Sequence, residues 1–407
     1  MPSPLSPLIC APTHQNHRDG RNCIRNRRQQ SDVERAFDTG GLDERRQPET
    51  DAIKAHDYAK VHPGHLDPFT DVETPQHPVA EKRMVISLIC GENGSFSSPK
   101  KHIIFSPLTG SPMKKIGMIG IGLMGHGIAR NILKHGYPLC VLEHAGNQPL
   151  DELKASGATT STSAASLAAG AEVIILCVTG TPQVEAVLLG SGGVLEGMKP
   201  GTVVIDCSTA IPSATERIAK VVQEAGGQFL DAPMTRTPKE AAEGRLNLLV
   251  GGDEAVFAEC RPILACFAEN ITHAGVVGAG HRMKLLHNYV SLGFVALLSE
   301  AAACAQRSGI ATDIFVEVLA KGGGGSAALE RLKPYLATGD SSALKFAMVN
   351  AQKDLGYYNA MAEDAGATKK IASAVLGTFD QGVVDGGQQA LVLELVTLLS
   401  GETSANS

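Results

Sequence analysis

The chain of 407 residues predicts an α/β protein in two parts: a doubly wound parallel sheet, then an all-α C-terminal domain joined to it through a long helix. Three observations carry this reading. Short apolar runs alternate with amphipathic stretches from residue 114 to about 280, as strands do when crossover helices cover both sheet faces. Beyond about residue 280 the strand signal stops and the apolar period becomes helical. A glycine-rich turn stands between the first apolar run and the first helix.

That turn is Gly120-Ile121-Gly122-Leu123-Met124-Gly125, preceded by the strand 116–119 and followed by Ile128, Ala129, Ile132 and Leu133 at helical spacing. Strand, G-x-G-x-x-G and helix in this order form the dinucleotide-binding pattern of a Rossmann-type unit. Gly120 allows the tight turn, Gly122 lets the backbone approach a pyrophosphate, and Gly125 allows close packing of helix on strand. The phosphates would rest on the free N–H groups and positive end of the helix. A glycine turn without nucleotide is the competing reading.

Further strands are expected at 139–142, 173–178, 203–206, 229–231 and 246–250, with helices at 150–156, 183–188 and 213–225. Helices at 281–308, 313–319, 344–363, 368–383 and 391–399 would build the second part, with the glycines at 322–325 as a break between two of them. The domains are therefore read as 113–278 for the dinucleotide, 279–400 for the helical part and 401–407 as a tail. Residues 1–112 hold twelve of the 21 Pro and seven of the 13 His without sustained periodicity. They are expected to be a disordered or non-native extension, with Met113 as the natural start.

Composition narrows the function. A net charge of −6 without a basic stripe argues against nucleic acid or an anionic membrane as partner. No continuous apolar run of bilayer length is evident. The nine Cys residues lack metal or paired spacing, so reduced thiols are expected, Cys177 and Cys207 among them inside apolar runs. No metal site is expected. Nothing at the N-terminus has the form of a signal peptide, and a cytoplasmic location fits best.

Glu143 ends the second strand, where an acidic side chain accepts hydrogen bonds from the adenosine ribose and repels a 2′-phosphate. This favours NAD and leaves NADP open; a solvated strand-end Glu is the alternative. Asp206-Cys-Ser208-Thr209 ends a buried strand where open sheets place ligands, or else is only a turn before a helix cap at Pro212 and Ser213. Lys284 and Asn288 are four apart on one face of the long helix. A lysine near the start of a buried helix costs desolvation, which points to chemistry unless the side chain reaches water.

The glycine turn with Met124, Asp206-x-Ser208-Thr209, Asp231-Ala-Pro233, Gly280-x-x-x-Lys284-x-x-x-Asn288 and Lys353-Asp354-Leu355 occur in the order seen in the β-hydroxyacid dehydrogenases. The chain resembles that family from residue 114 to about 400. The family includes 3-hydroxyisobutyrate dehydrogenase and tartronate semialdehyde reductase. The resemblance implies reversible hydride transfer between NAD and a short β-hydroxy acid or its aldehyde. It makes Lys284 the catalytic acid/base and Asn288 the residue that orients the substrate. It puts Leu123, Met124, Val178, Thr179 and Thr209 along the cofactor, with Lys353 closing over nicotinamide and substrate. A homodimer or homotetramer is implied as well.

The chain also departs from the family. Where Asp-Ala-Pro usually continues as Val-Ser-Gly-Gly, it reads Met234-Thr235-Arg236-Thr237. Thr235 keeps a hydroxyl, and Arg236 adds a rigid fork of donors suited to a substrate anion, with Thr237 beside it. The loop looks like the Gly-Arg-Thr of sulfolactaldehyde reductases; an Arg that merely replaced a surface glycine is the alternative. His287 replaces the first Asn of the family's pair, and the Trp often seen near the glycine run is absent. An imine reductase of the same fold and a non-catalytic cofactor-binding protein remain as rivals, both disfavoured by Lys284. A 6-phosphogluconate dehydrogenase proper is disfavoured by the short helical part.

Overall fold

The computed structural model describes residues 113–401. The expectations for residues 1–112 and for the tail beyond Gly401 lie outside the described residues. The first half runs β1 (Ile116–Ile119), α1 (Leu123–Lys134), β2 (Leu139–Leu142), α2 (Asp151–Ala155), β3 (Thr159–Ser161), α3 (Ala164–Gly170), β4 (Val173–Leu176), α4 (Thr181–Leu189), α5 (Val194–Gly197), β5 (Val203–Asp206), α6 (Pro212–Glu224) and β6 (Gln228–Asp231). These six strands are parallel in the order β3-β2-β1-β4-β5-β6. Chain direction across the sheet reverses between β1 and β4, which opens a crevice at their C-terminal ends.

The sheet continues through β7 (Met234–Thr235), α7 (Pro238–Glu243), β8 (Leu246–Gly251), α8 (Glu254–Leu264) and β9 (Ala268–Gly275). β8 is antiparallel to β6 and β7, while β9 lies parallel to β8. Central strands are apolar throughout because both faces are covered. In β4, Val173 and Ile175 enter one hydrophobic layer with Ile128 and Ile132 of α1, and Ile174 and Leu176 enter the other with Val184 and Leu188 of α4.

The helical part is α9 (Ala279–Arg307), α10 (Thr312–Lys321), α11 (Ala327–Thr338), α12 (Met348–Asp364), α13 (Lys370–Gly386) and α14 (Leu395–Ser400). Leu292 and Val295 of α9 pack with Leu332 of α11, Leu355 of α12 and Phe379 of α13 in a separate core. α9 is long and apolar enough, by length and composition, to cross a membrane, although no bilayer-length run was evident in the sequence. Half of its most apolar stretch is buried in the protein, so core packing accounts for that composition.

Several elements depart from the sequence reading. β3, α3, α5, β7, α7, α8, β9 and α11 were not expected from sequence, and the last helix is preceded by a 3-10 turn, Val392–Glu394. β9 alternates toward solvent with polar side chains, and Pro262 and Pro334 stand inside α8 and α11 and blur their periodicity.

Candidate active site and dinucleotide cleft

Gly120 leaves β1 with φ +96°, and a Cβ there would lie 2.2 Å from the Cys177 carbonyl oxygen. Both facts demand glycine. A Cβ on Gly125 would meet the Gly120 carbonyl at 2.0 Å, so turn and helix are in direct backbone contact. Around Gly122 nothing lies within 4 Å of such a Cβ, which leaves the open approach a pyrophosphate needs. α1 begins there with no capping side chain and no acid in its first turn. An uncapped helix start with bare N–H groups fits a dinucleotide phosphate. Leu123, 65% exposed, stands at the rim of the same turn, while Met124 packs inward on the core.

Glu143 follows β2, and the β1–β2 register carries it level with the glycine turn. Its carboxylate accepts from Lys154 at 3.2 Å, and hydrogen bonds from Thr160 and then Lys154 hold its pKa below the usual glutamate value. Asn147 and Gln148 tie this loop to the turn. The Ile121 N–H donates to Asn147 Oδ1 at 3.3 Å, and the Gln148 N–H donates to the Ile121 carbonyl at 2.7 Å. Neither residue was singled out from sequence, because their contacts depend on the fold of the loop.

At the end of β4, the Val178 N–H donates to Ser208 Oγ at 3.0 Å, which fixes the segment beside the loop bearing half-buried Thr209. The Lys353 ammonium of α12 donates to the Thr179 carbonyl at 2.5 Å, and the Thr181 N–H donates to Tyr357 Oη at 3.2 Å. The helical part is thus bonded directly to the strand end expected to line the cofactor.

Lys284 is half-buried one turn into α9. Desolvation pulls its pKa down to about 8; Asp354 opposes this and Lys353 reinforces it. Asn288, one turn further, donates to Asp354 Oδ2 at 2.6 Å, and the Lys353 ammonium lies 3.1 Å from Asp354 Oδ1. That buried Oδ1 has no hydrogen bond among the described residues. His287 Nδ1 sits 3.1 Å from Asn288 Oδ1, and partial desolvation lowers its pKa. In sequence Asp354 is only part of the Lys353-Asp354-Leu355 motif; α12 brings it to Asn288 and Lys284.

The substrate-loop residues are placed differently. Thr235 Oγ1 accepts from Asn247 Nδ2 at 3.1 Å. Arg236, with φ +83°, directs its guanidinium to the Glu269 carboxylate of β9 and the Arg245 carbonyl. Thr237 caps α7 in a reciprocal pair with Glu240. None of the three bonds to α9 among the described residues. Arg236 follows β7 and Glu269 lies in β9, strands that flank the start of β8 on either side, so their pairing 33 residues apart is not revealed by local sequence. No cluster able to hold a metal occurs among the described residues.

Comparison with known proteins places both halves. Residues 115–275 match the NAD binding domain of 6-phosphogluconate dehydrogenase, and residues 278–399 match the NAD-binding region of NADP-dependent 3-hydroxyisobutyrate dehydrogenase. An NAD-dependent L-serine dehydrogenase of Pseudomonas aeruginosa is 33% identical over 66% of this chain and 91% of its own length. A 3-sulfolactaldehyde reductase of Escherichia coli is 31% identical over 72% of this chain and 99% of its own. The structure of Mycobacterium tuberculosis 3-hydroxyisobutyrate dehydrogenase with L-serine superposes with a TM-score of 0.64 at 25% identity, covering 71% of this chain and 99% of that one.

Proposed function

This chain belongs to the β-hydroxyacid dehydrogenase family and is an NAD(P)-dependent hydroxyacid dehydrogenase, and from that premise we propose that it interconverts a short anionic β-hydroxy acid and its aldehyde with Lys284 as acid/base. The observation that carries the proposal is the Lys284 ammonium, desolvated to a pKa of about 8 beside the Asn288–Asp354 hydrogen bond. A pKa near the working pH lets one group both give and take a proton.

The nicotinamide, when bound, supplies or accepts the hydride. In the reducing direction Lys284 stabilises the charge that develops on the substrate oxygen and passes a proton to it. In the oxidising direction the neutral amine removes the hydroxyl proton. Asn288, held by Asp354, fixes the approach of that oxygen. Gly120, Gly122, Leu123, Met124 and Gly125 would hold the phosphates, and Val178, Thr179, Thr209 and Lys353 the nicotinamide end. Glu143 favours NAD over NADP, because its carboxylate suits a ribose hydroxyl and repels a phosphate.

Lys284 and Lys353 place two ammonium groups beside the Asp354 carboxylate, an arrangement that suits an anionic substrate. Thr235 supplies a hydroxyl for the substrate acid, and Arg236 a fork of donors once it leaves Glu269. A carboxylate, a sulfonate or a second carboxylate each fits this chemistry. NADH oxidation measured with methylmalonate, tartronate and sulfolactaldehyde-type semialdehydes ranks them. Lys284→Ala should cut turnover by about 10²–10⁴-fold with NADH binding nearly unchanged; a fully active variant sinks the mechanism.

Self-association is part of the same reading. Met283, Leu286, Val290, Phe294 and Leu297 form an exposed apolar stripe on α9, and light scattering should give a dimer or tetramer.

A further inference from the structure

His281 lies in the first turn of α9 and is fully buried. Its Nε2 is 3.1 Å from the Ser208 carbonyl and its Nδ1 is 2.8 Å from Thr215 Oγ1. A carbonyl oxygen only accepts, so Nε2 carries a hydrogen and donates it to Ser208. The His281 backbone N–H donates to Asp231 Oδ2 at 2.8 Å, and the Gly278 N–H donates to Asp231 Oδ1 at 2.7 Å. Asp231, from the end of β6, therefore caps a helix whose own N-cap, Gly278, has no side chain to do so.

The surroundings are unusually polar for a core. Asp206 Oδ2 lies 3.9 Å from Nε2 and Asp231 Oδ2 lies 3.9 Å from Nδ1, with His281, Asp206 and Asp231 all buried. Asp206 Oδ2 has no hydrogen-bond partner among the described residues. An apolar side chain of similar size would fill the space without these desolvation costs, so stability alone is a poor reason for a histidine here.

The contacts of His281 converge from segments the reaction needs. Ser208 immediately precedes Thr209, Asp231 leads into the loop with Thr235, and α9 carries Lys284 and Asn288. His281, Lys284 and Asn288 are spaced i, i+3, i+7 and share one helix stripe. The backbone beside the histidine has no slack, since a Cβ on Gly280 would lie 2.2 Å from the Leu249 carbonyl. With the turn pressed against the sheet there, the bonded ring settles how α9 is rotated about its axis.

We propose that His281 is a positioning residue of the reaction site, its buried imidazole clamping Ser208 and Thr215 to the first turn of α9 and so setting where Lys284 stands relative to Thr209. The proposal rests on the reading of Lys284 and Thr209 given above. His281 touches neither cofactor nor substrate; it acts through the Ser208 loop and α6, which it joins to α9.

His281→Leu and His281→Gln separate this role from a structural one. Leucine removes both ring contacts, while the glutamine amide can still donate to the Ser208 carbonyl. His281→Leu is expected to lower kcat by roughly tenfold or more at saturating substrate, by misplacing Lys284. It should also weaken NADH in a direct fluorescence titration, by releasing the Thr209 loop. His281→Gln is expected to recover most of both. Unchanged kcat and NADH affinity in His281→Leu, with only a lower urea midpoint, overturns the proposal. Equal losses in the two variants overturn it too. Should His281→Leu fail to fold, Thr215→Val removes one partner of the ring and should produce a smaller fall in kcat; no fall overturns the proposal. The NADH titration does not depend on chemistry. Its weakening in His281→Leu and recovery in His281→Gln support the clamp even if Lys284→Ala proves active, a result that sinks only the reading of Lys284.

Discussion

Asn288 donates its side-chain amide to Asp354 at 2.6 Å, so the carboxylate that keeps Lys284 cationic is held by a residue on the lysine's own helix. Burial pushes Lys284 down and Asp354 pushes it back up, and the balance rests at about 8. With Lys284 as the proposed acid/base, reduction of an aldehyde should decline as pH rises through about 8, while hydroxy-acid oxidation should rise through the same value. Asp354→Asn removes the opposing charge and lowers the lysine pKa further. Both limbs of the kcat/KM profile should then move to lower pH. Limbs that stay in place would mean that Asp354 does not set the charge of Lys284.

The same lysine should weaken the fold. Its folded pKa of about 8 lies below the 10.5 of an unperturbed lysine, so between these values the unfolded chain binds more protons than the folded one. Stability therefore rises with pH across that window, and the full penalty is present below about pH 8. Lys284→Met should stabilise the protein at pH 7 by on the order of 1–2 kcal/mol, after allowance for the solvent that reaches a half-buried side chain. Urea midpoints of the two proteins at pH 7 and pH 10 check this, and the advantage should shrink at the higher pH. A destabilised methionine variant counts against the desolvation argument. The trade of stability for activity is common at catalytic groups.

Legibility in the sequence follows how local each signal is. β4 reads directly because Val173, Ile174, Ile175 and Leu176 are all buried, and no solvent-facing position interrupts the run. The glycine turn reads because Gly120 and Gly125 are forced by backbone contacts within a few residues of themselves or at the adjoining strand end. β9 does not read, since a register shift at Glu269 breaks its alternation and Glu269, Asn270, Thr272 and Ala274 are all exposed. The N-terminal signal of α8 was available: Asp253 accepts from the Ala255 and Val256 N–H groups, but Pro262 blurred the helix behind it. Lys284 and Asn288 were visible as a helical pair. Asp354 and His281 gain their roles only when α12, β5 and β6 bring distant residues to them. Arg236 shows the same limit from the other side, because no local pattern announces Glu269.

Glu143 offers a test of cofactor choice that does not depend on the substrate. It is exposed, level with the glycine turn, and hydrogen bonds from Thr160 and Lys154 lower its carboxyl pKa. Glu143→Ser should remove repulsion toward a 2′-phosphate and leave Lys154 free to attract it. The ratio of kcat/KM for NADPH to that for NADH should rise by about tenfold or more. An unchanged ratio would make Glu143 an ordinary solvated strand end.

Arg236 is held in a left-handed backbone conformation, φ +83°, which an L side chain adopts only at some cost. Its guanidinium is bonded to the Glu269 carboxylate and the Arg245 carbonyl. Arg236→Gly relieves the backbone and loses a solvent-screened ion pair, two small effects of opposite sign, so stability should change little. Its substrate effect should be larger: KM for an anionic aldehyde rises several-fold with kcat nearly kept, the signature of lost uniform binding. Glu269→Gln gives the converse case, because it leaves the guanidinium with only a neutral partner. KM should fall in that variant if Arg236 turns toward substrate, and a KM indifferent to both substitutions would confine Arg236 to the edge of the sheet.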